Sequence, residues 1–186
     1  FLPLAFFLVS FPSHAESIRE VNANIERLKS IEPPFSFALI GDSRDGEKVY
    51  LQLMQSILER KPQLVIHLGD MITKPHEKEW QAFFEISKPF HLPFFPVVGN
   101  HDVGNTRLGE EMYQKQFSLP EGKTYYVFHA GGSLFVILDS EKEKGRIIDE
   151  QRSWLEETLS STGIFKMIFI HRPLFLPKDS FKLDKA

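Results

Sequence analysis

Short unbroken apolar runs alternate along this chain with amphipathic segments. FSFALI (residues 35–40), QLVIHL (63–68), FFPVV (94–98) and FKMIFI (165–170) read as buried strands, because a strand covered on both faces needs no polar alternation. Between them, residues 49–59, 77–87, 108–118 and 149–159 carry apolar side chains at helical spacing. Pro96 makes the third strand an imperfect one, since proline donates nothing to a ladder. Residues 124–128 and 133–138 are two more strands, and Gly131-Gly132 between them marks a hairpin. Residues 17–30 form a helix or a loose lead-in, ended by Pro33-Pro34. Strand, helix, strand, helix, strand predicts parallel βαβ units, so the expected fold class is α/β. The hairpin implies an antiparallel part or a second sheet.

The chemistry lies where the strands stop. The first strand ends in Gly41-Asp42, the second in Gly69-Asp70, the third in Gly99-Asn100-His101-Asp102 and the last in His171. Parallel strands of one sheet place their C-terminal ends along a common edge, where α/β sites are built. Asp42, Asp70, Asn100 and His171 can therefore converge although they are far apart in the chain. Carboxylates, an amide oxygen and an imidazole form a donor set for Mn, Fe, Zn or a similar divalent ion. Each glycine before its acid permits a sharp turn and a close backbone approach. One Gly-Asp is ordinarily only a turn; the ordered set of strand ends is what carries the meaning.

Composition narrows the possibilities. The 186 residues suit one domain. With no cysteine, disulfides, thiolate metal sites and cysteine nucleophiles are excluded. A formal charge of −3 predicts no general attraction to nucleic acid or anionic membranes, but does not oppose phosphorylated small molecules, because a bound ion dominates the local field. The opening run FLPLAFFLVSF, followed by Ser13-His14-Ala15, reads as the tail of a secretory signal peptide cleaved after Ala15. The domain plan is thus a partial signal peptide at 1–15, a lead-in at 16–34 and one catalytic or binding domain at 35–186. The protein is expected to be secreted or periplasmic, with no stable membrane span after cleavage. Nothing in the sequence fixes an oligomeric state.

The series GD…GD…GNHD…H resembles the signature of the calcineurin-like metallophosphoesterase superfamily, with Gly99-Asn100-His101-Asp102 its most diagnostic part. Ile40-Gly41-Asp42-Ser43-Arg44, Gln151-x-x-Trp154-Leu155 and His171-Arg172-Pro173 also look like one branch of that family. The resemblance covers about residues 35–177. It implies a four-layer α/β/β/α metallophosphoesterase sandwich, its C-terminal part missing here, with two divalent ions at the strand ends. By match of position, Asp42 would bind the first ion, Asp70 would bridge both, and Asn100 and His171 would bind the second. His101 matches the catalytic histidine, placed to protonate the leaving oxygen, and Asp102 would orient the loop. The implied reaction is hydrolysis of phosphomonoesters or phosphodiesters by a metal-bridging hydroxide. The implied substrate is a phosphorylated small molecule or a phosphodiester.

Three departures from the family pattern matter. The family's common first motif is Asp-x-His, but position 44 is Arg, which has no lone pair to give a metal. Arg44 is either a phosphate clamp or a salt-bridged loop residue. Thr73 stands where many members carry an acid, Asn or Tyr three residues after the bridging aspartate. The final Gly-His-x-His motif does not occur, so the sequence is expected to be incomplete at both ends, and as written to hold the second ion better than the first. The competing reading is a catalytically impaired binding or scaffold protein that has kept the metallophosphoesterase fold. Asp45 is read as a support for Arg44 or a helix cap, His67 as a packing residue and Asp139 as structural. His129 is the one further histidine with some prospect of approaching the site.

Overall fold

A computed structural model describes residues 18–142, 146–160 and 165–173. The leader-like segment and the stretch after Pro173 lie outside them. Among the described residues, six strands form two three-stranded sheets. In the first, β1 (Phe37–Ile40), β2 (Leu64–His67) and β3 (Phe94–Pro96) run parallel in that spatial order. In the second, β4 (Tyr126–Ala130) pairs antiparallel with β5 (Ser133–Ile137), and β5 pairs parallel with β6 (Phe165–Phe169). The helices are α1 (Val21–Leu28), α2 (Glu47–Arg60), α3 (Glu77–Ser87), a single turn α4 (Asn100–Val103), α5 (Arg107–Gln116) and α6 (Asp149–Leu159).

Aromatic side chains join the sheets face to face. Phe95 of β3 stacks on Phe128 of β4 with centroids 4.0 Å apart, and Phe37 of β1 meets Phe135 of β5 edge-on at 5.3 Å. Both geometries suit the ring quadrupole. The Tyr126 hydroxyl crosses the same interface to donate to the Pro96 carbonyl at 2.9 Å. On the far side of the first sheet, Tyr50 of α2 and Phe83 of α3 pack on the His67 ring of β2. On the far side of the second, Leu134, Val136 and Leu138 pack against Trp154, Leu155 and Leu159 of α6. Phe135 and Ile137 belong instead to the main core between the sheets. The order of layers is helix, sheet, sheet, helix, the expected sandwich. Every residue of β5 is buried because both its faces are covered.

The expected single edge for all four site-bearing strands needs correction. β6, which leads to His171, belongs to the second sheet. Short apolar runs look alike in either sheet, so sequence pattern could not assign it. The two edges nonetheless lie together. β1, β2 and β3 end in register, with Ile40 opposite His67 and His67 opposite Pro96, and the His171 Nδ1 lies 2.8 Å from the Leu68 carbonyl just past β2. The expectation that β1 and β6 are buried strands also needs correction: each stands at the end of its three-stranded order among the described residues, with Leu39, Phe165 and Ile168 exposed. Smaller differences concern boundaries. β4 starts two residues later than expected, at Tyr126, because Thr124 and Tyr125 turn their side chains to Asp139 and Glu150. β3 stops at Pro96, and the lead-in helix is confined to Val21–Leu28.

Candidate functional site

Backbone geometry builds the site before any side chain does. Asp42 and Asp70 both adopt left-handed backbone angles, with φ of 49° and 58°. Such angles cost an ordinary residue energy and are held only by surrounding contacts. Here the Asp42 N–H donates to the Gly69 carbonyl at 2.9 Å, and the Arg44 N–H donates to the Asp70 carbonyl at 3.1 Å. The β1 and β2 loops therefore lock one another. Ser43 adds a side-chain tie, its Oγ lying 2.9 Å from His67 Nε2. Burial drives the His67 pKa down to about 3, helped by the neighbouring His171, so His67 is a neutral packing residue, as expected, that also anchors the first loop.

Asp102 does the same for the second and third loops. Its fully buried carboxylate accepts the N–H groups of Gly99 and Asp70 at 2.9 Å, of Met71 at 2.8 Å and of Ile72 at 3.3 Å. Burial pushes this carboxyl up to about 7, against the opposing pull of those backbone N–H groups. The loop-orienting part expected of Asp102 is this clamp. Gly99 makes it possible, because a Cβ there would lie 2.3 Å from the Asp70 nitrogen and 2.4 Å from Asp70 Oδ1.

Around that frame the structure brings Asp70, Asn100, His101, His171 and Arg44 together. His171 Nδ1 can only donate to the Leu68 carbonyl, which leaves the Nε2 lone pair of the neutral ring facing inward. Nε2 lies 3.1 Å from Asn100 Oδ1 and 3.5 Å from Asp70 Oδ1. An imidazole nitrogen, an amide oxygen and a carboxylate oxygen so converge, and three lone-pair donors facing one another suit a divalent cation. Among the described residues no group of three or more His, Cys, Asp or Glu is arranged to hold a metal; the third donor here is the Asn100 amide. The other oxygen of Asp70 differs. Arg44 Nε lies 3.1 Å from Oδ2, so a guanidinium occupies that side of the carboxylate. The Asp42 side chain is exposed. Asp70, Asn100 and His171 are thus the donors that face one another.

His101 is held apart from that donor set. Its N–H donates to Asp70 Oδ1 at 3.0 Å, and its Nδ1 lies 2.8 Å from the Thr73 carbonyl. That carbonyl fixes the Nδ1–H tautomer and leaves Nε2, 4.0 Å from Asp70 Oδ2, turned to the half-open site. Position 73, where the sequence lacks an acid, supports His101 through its backbone. The Thr73 hydroxyl instead donates to Asp45 Oδ1 at 2.7 Å, and Asp45 Oδ2 is 3.4 Å from Arg44 Nη1. Asp45 therefore supports Arg44, and Gly46 rather than Asp45 stands at the N-cap of α2.

Two residues were not foreseen. Glu141, with a side chain 2% exposed, binds Arg172 Nη2 at 2.7 Å and Nε at 2.8 Å, and Ser140 Oγ accepts the Arg172 N–H at 3.1 Å. Together they fix the turn that presents His171. No local pattern marks Glu141, because its partner is 31 residues away. Asp139 is structural as expected, accepting from the Glu141 N–H at 2.7 Å. His129 does not reach the site: it is exposed and pairs with Leu134 toward the opposite end of the second sheet.

Comparison with known proteins agrees with this geometry. A family model described as calcineurin-like phosphoesterase matches residues 35–185. The human serine/threonine-protein phosphatase CPPED1 is 30% identical over 155 residues, covering 73% of this chain and 49% of that protein. A probable glycerophosphodiester phosphodiesterase GpdQ from Arcobacter nitrofigilis is 30% identical over 120 residues, covering 62% of this chain and 44% of that protein. The chain spans about half the length of the curated relatives it matches. Among solved structures, a purple acid phosphatase, PPD1, from yellow lupin seeds shares the fold, with a TM-score of 0.55 and 21% identity over 68% of this chain and 28% of that one.

Proposed function

This chain belongs to the calcineurin-like phosphoesterase family, and on that premise we propose that it serves metal-dependent hydrolysis of phosphomonoesters or phosphodiesters. The observation that carries the reading is the inward-facing triad of Asp70 Oδ1, Asn100 Oδ1 and His171 Nε2. These three residues would hold a divalent ion, with Asp42 and Asp70 the donors toward a second, of Mn, Fe or Zn type. Bound divalent cations supply Lewis acidity and a nucleophilic water at neutral pH.

The remaining roles belong to side chains of this chain. Arg44 presents its guanidinium beside Asp70 and would clamp a phosphoryl oxygen, a geometry that guanidinium and phosphate share. His101, its Nδ1–H anchored on Thr73, would in its doubly protonated form deliver a proton from Nε2 to the leaving oxygen. Asp102 and Glu141 position these groups without meeting the substrate. Export from the cytoplasm is part of the proposal, supported by the apolar opening run and Ser13-His14-Ala15. One observation favours the alternative of an impaired, binding-only member: Arg44 already engages the Asp70 oxygen that a first ion would share.

Turnover of 4-nitrophenyl phosphate and bis(4-nitrophenyl) phosphate with added Mn²⁺, before and after chelation, decides between the two. Hydrolysis that chelator abolishes, and that His101→Ala lowers about 100-fold as expected for loss of a general acid, supports the enzyme. Metal-independent release, or full activity in His101→Ala, would refute it.

A further inference from the structure

A cavity of about 310 Å³ opens between α2 and α3, directly beside Arg44. Its floor is apolar and rigid. Tyr50 and Phe83 stack there with centroids 5.7 Å apart, the Tyr50 hydroxyl is tied to Ser87 Oγ at 2.9 Å, and Met71 and Ile86 complete the wall. Arg44 and Thr73 also line it, and of these Arg44 contacts Asp70 while the Thr73 carbonyl holds His101. A ligand whose phosphoryl group met Arg44 would therefore have its organic part beside this cavity. The space suffices for a ring, since an apolar cavity of about 150 Å³ already accommodates benzene.

The rim is acidic. Asp45, Glu47 and Glu79 all line the opening. Glu79 is fixed there by accepting the Thr73 and Lys74 N–H groups at 2.7 and 3.0 Å. Arg44 is the one cation among the lining residues, and a bound phosphoryl group would engage it. A second anionic group on the ligand would face carboxylates.

We propose that this cleft binds the alcohol portion of the substrate, and that it selects an uncharged aryl group over small alkyl groups and over groups bearing a further negative charge. The proposal rests on the phosphoesterase reading for the identity of the phosphoryl end, but binding tests it separately from turnover. The probes are phenylphosphonate, methylphosphonate and 4-carboxyphenylphosphonate, titrated calorimetrically into the Mn²⁺-loaded protein. Phenylphosphonate is expected to bind roughly tenfold more tightly than methylphosphonate, from burial of the ring's apolar surface, and the carboxylated ring more weakly than the plain one. Ala82 is exposed on α3 and lines the cleft, so Ala82→Trp should fill the opening without disturbing the core. That variant should bind phenylphosphonate no better than methylphosphonate, with methylphosphonate unchanged. Equal binding of the two by the unaltered protein, binding of neither, or a phenyl preference that survives Ala82→Trp would overturn the proposal. A phenyl preference in a protein that hydrolyses no phosphoester would sink the catalytic reading while upholding the cleft.

Discussion

Gly99→Ala is the smallest change that should dismantle the site while leaving the domain folded. A Cβ at position 99 would meet the Asp70 nitrogen at 2.3 Å, against 3.4 Å or more for ordinary packing, so the β2 and β3 loops must part by about 1 Å. Neither loop can yield cheaply. Gly69 packs against Gly99 so tightly that a Cβ on Gly69 would itself lie 2.8 Å from the Gly99 backbone, and Asp102 bonds to both loops. Overpacking of this kind costs about 2 kcal/mol, which lowers Tm by roughly 4–8 °C in a domain of this size. The site should suffer more than the fold, because misplacing a reacting group by about 1 Å costs about 100-fold in rate. Urea denaturation gives the first quantity, and Mn²⁺ calorimetry with bis(4-nitrophenyl) phosphate turnover gives the second. Gly46→Ala is the control, since a Cβ there meets nothing closer than 3.6 Å. Wild-type metal affinity in Gly99→Ala, or an equal loss in Gly46→Ala, would refute this steric reasoning.

Arg44→Ala should raise KM for 4-nitrophenyl phosphate about tenfold through loss of a charge-assisted contact, and an unchanged KM would remove Arg44 from the substrate site. His67 gives a pH signature. Its folded pKa is lowered to about 3 from an ordinary 6.5, so below pH 6.5 the unfolded chain takes up a proton that the folded one refuses, and stability falls as pH drops from 6.5 toward 3. The loss attributable to this one side chain is on the order of 5 kcal/mol at the acid end. His67→Gln should flatten that part of the stability profile, measured by urea midpoints between pH 4 and 7 or thereabouts; a variant with the same slope as the parent would contradict it.

What the sequence revealed, and what it hid, follows from the range of the interactions. Helices α3 and α6 begin and end where their apolar spacing places them, at Glu77–Ser87 and Asp149–Leu159, because an amphipathic stripe is a local property. Asp70, Asn100 and His171 could be picked out together because each follows a short apolar run. The partition of the strands was not, since β6 is read the same way whichever sheet receives it. Support for His101 comes from the Thr73 carbonyl, which every residue type possesses and no side-chain pattern records. The cleft beside Arg44 was invisible for a related reason. Its lining includes Tyr50 and Phe83, two rings that pattern alone reads as ordinary core.

The central claim is that Asp70, Asn100 and His171 hold a divalent ion used in phosphoester hydrolysis. Its most direct test is Mn²⁺ binding measured alongside bis(4-nitrophenyl) phosphate turnover, in the unaltered protein and in Asn100→Ala. Asn100 is partly buried, so the truncation removes one donor with little effect on the core. The expected result is a loss of at least tenfold in Mn²⁺ affinity, on the scale seen when groups that shape a metal site are removed, with turnover falling in parallel and thermal stability nearly unchanged. Mn²⁺ binding and turnover both at the unaltered level in Asn100→Ala would contradict the claim.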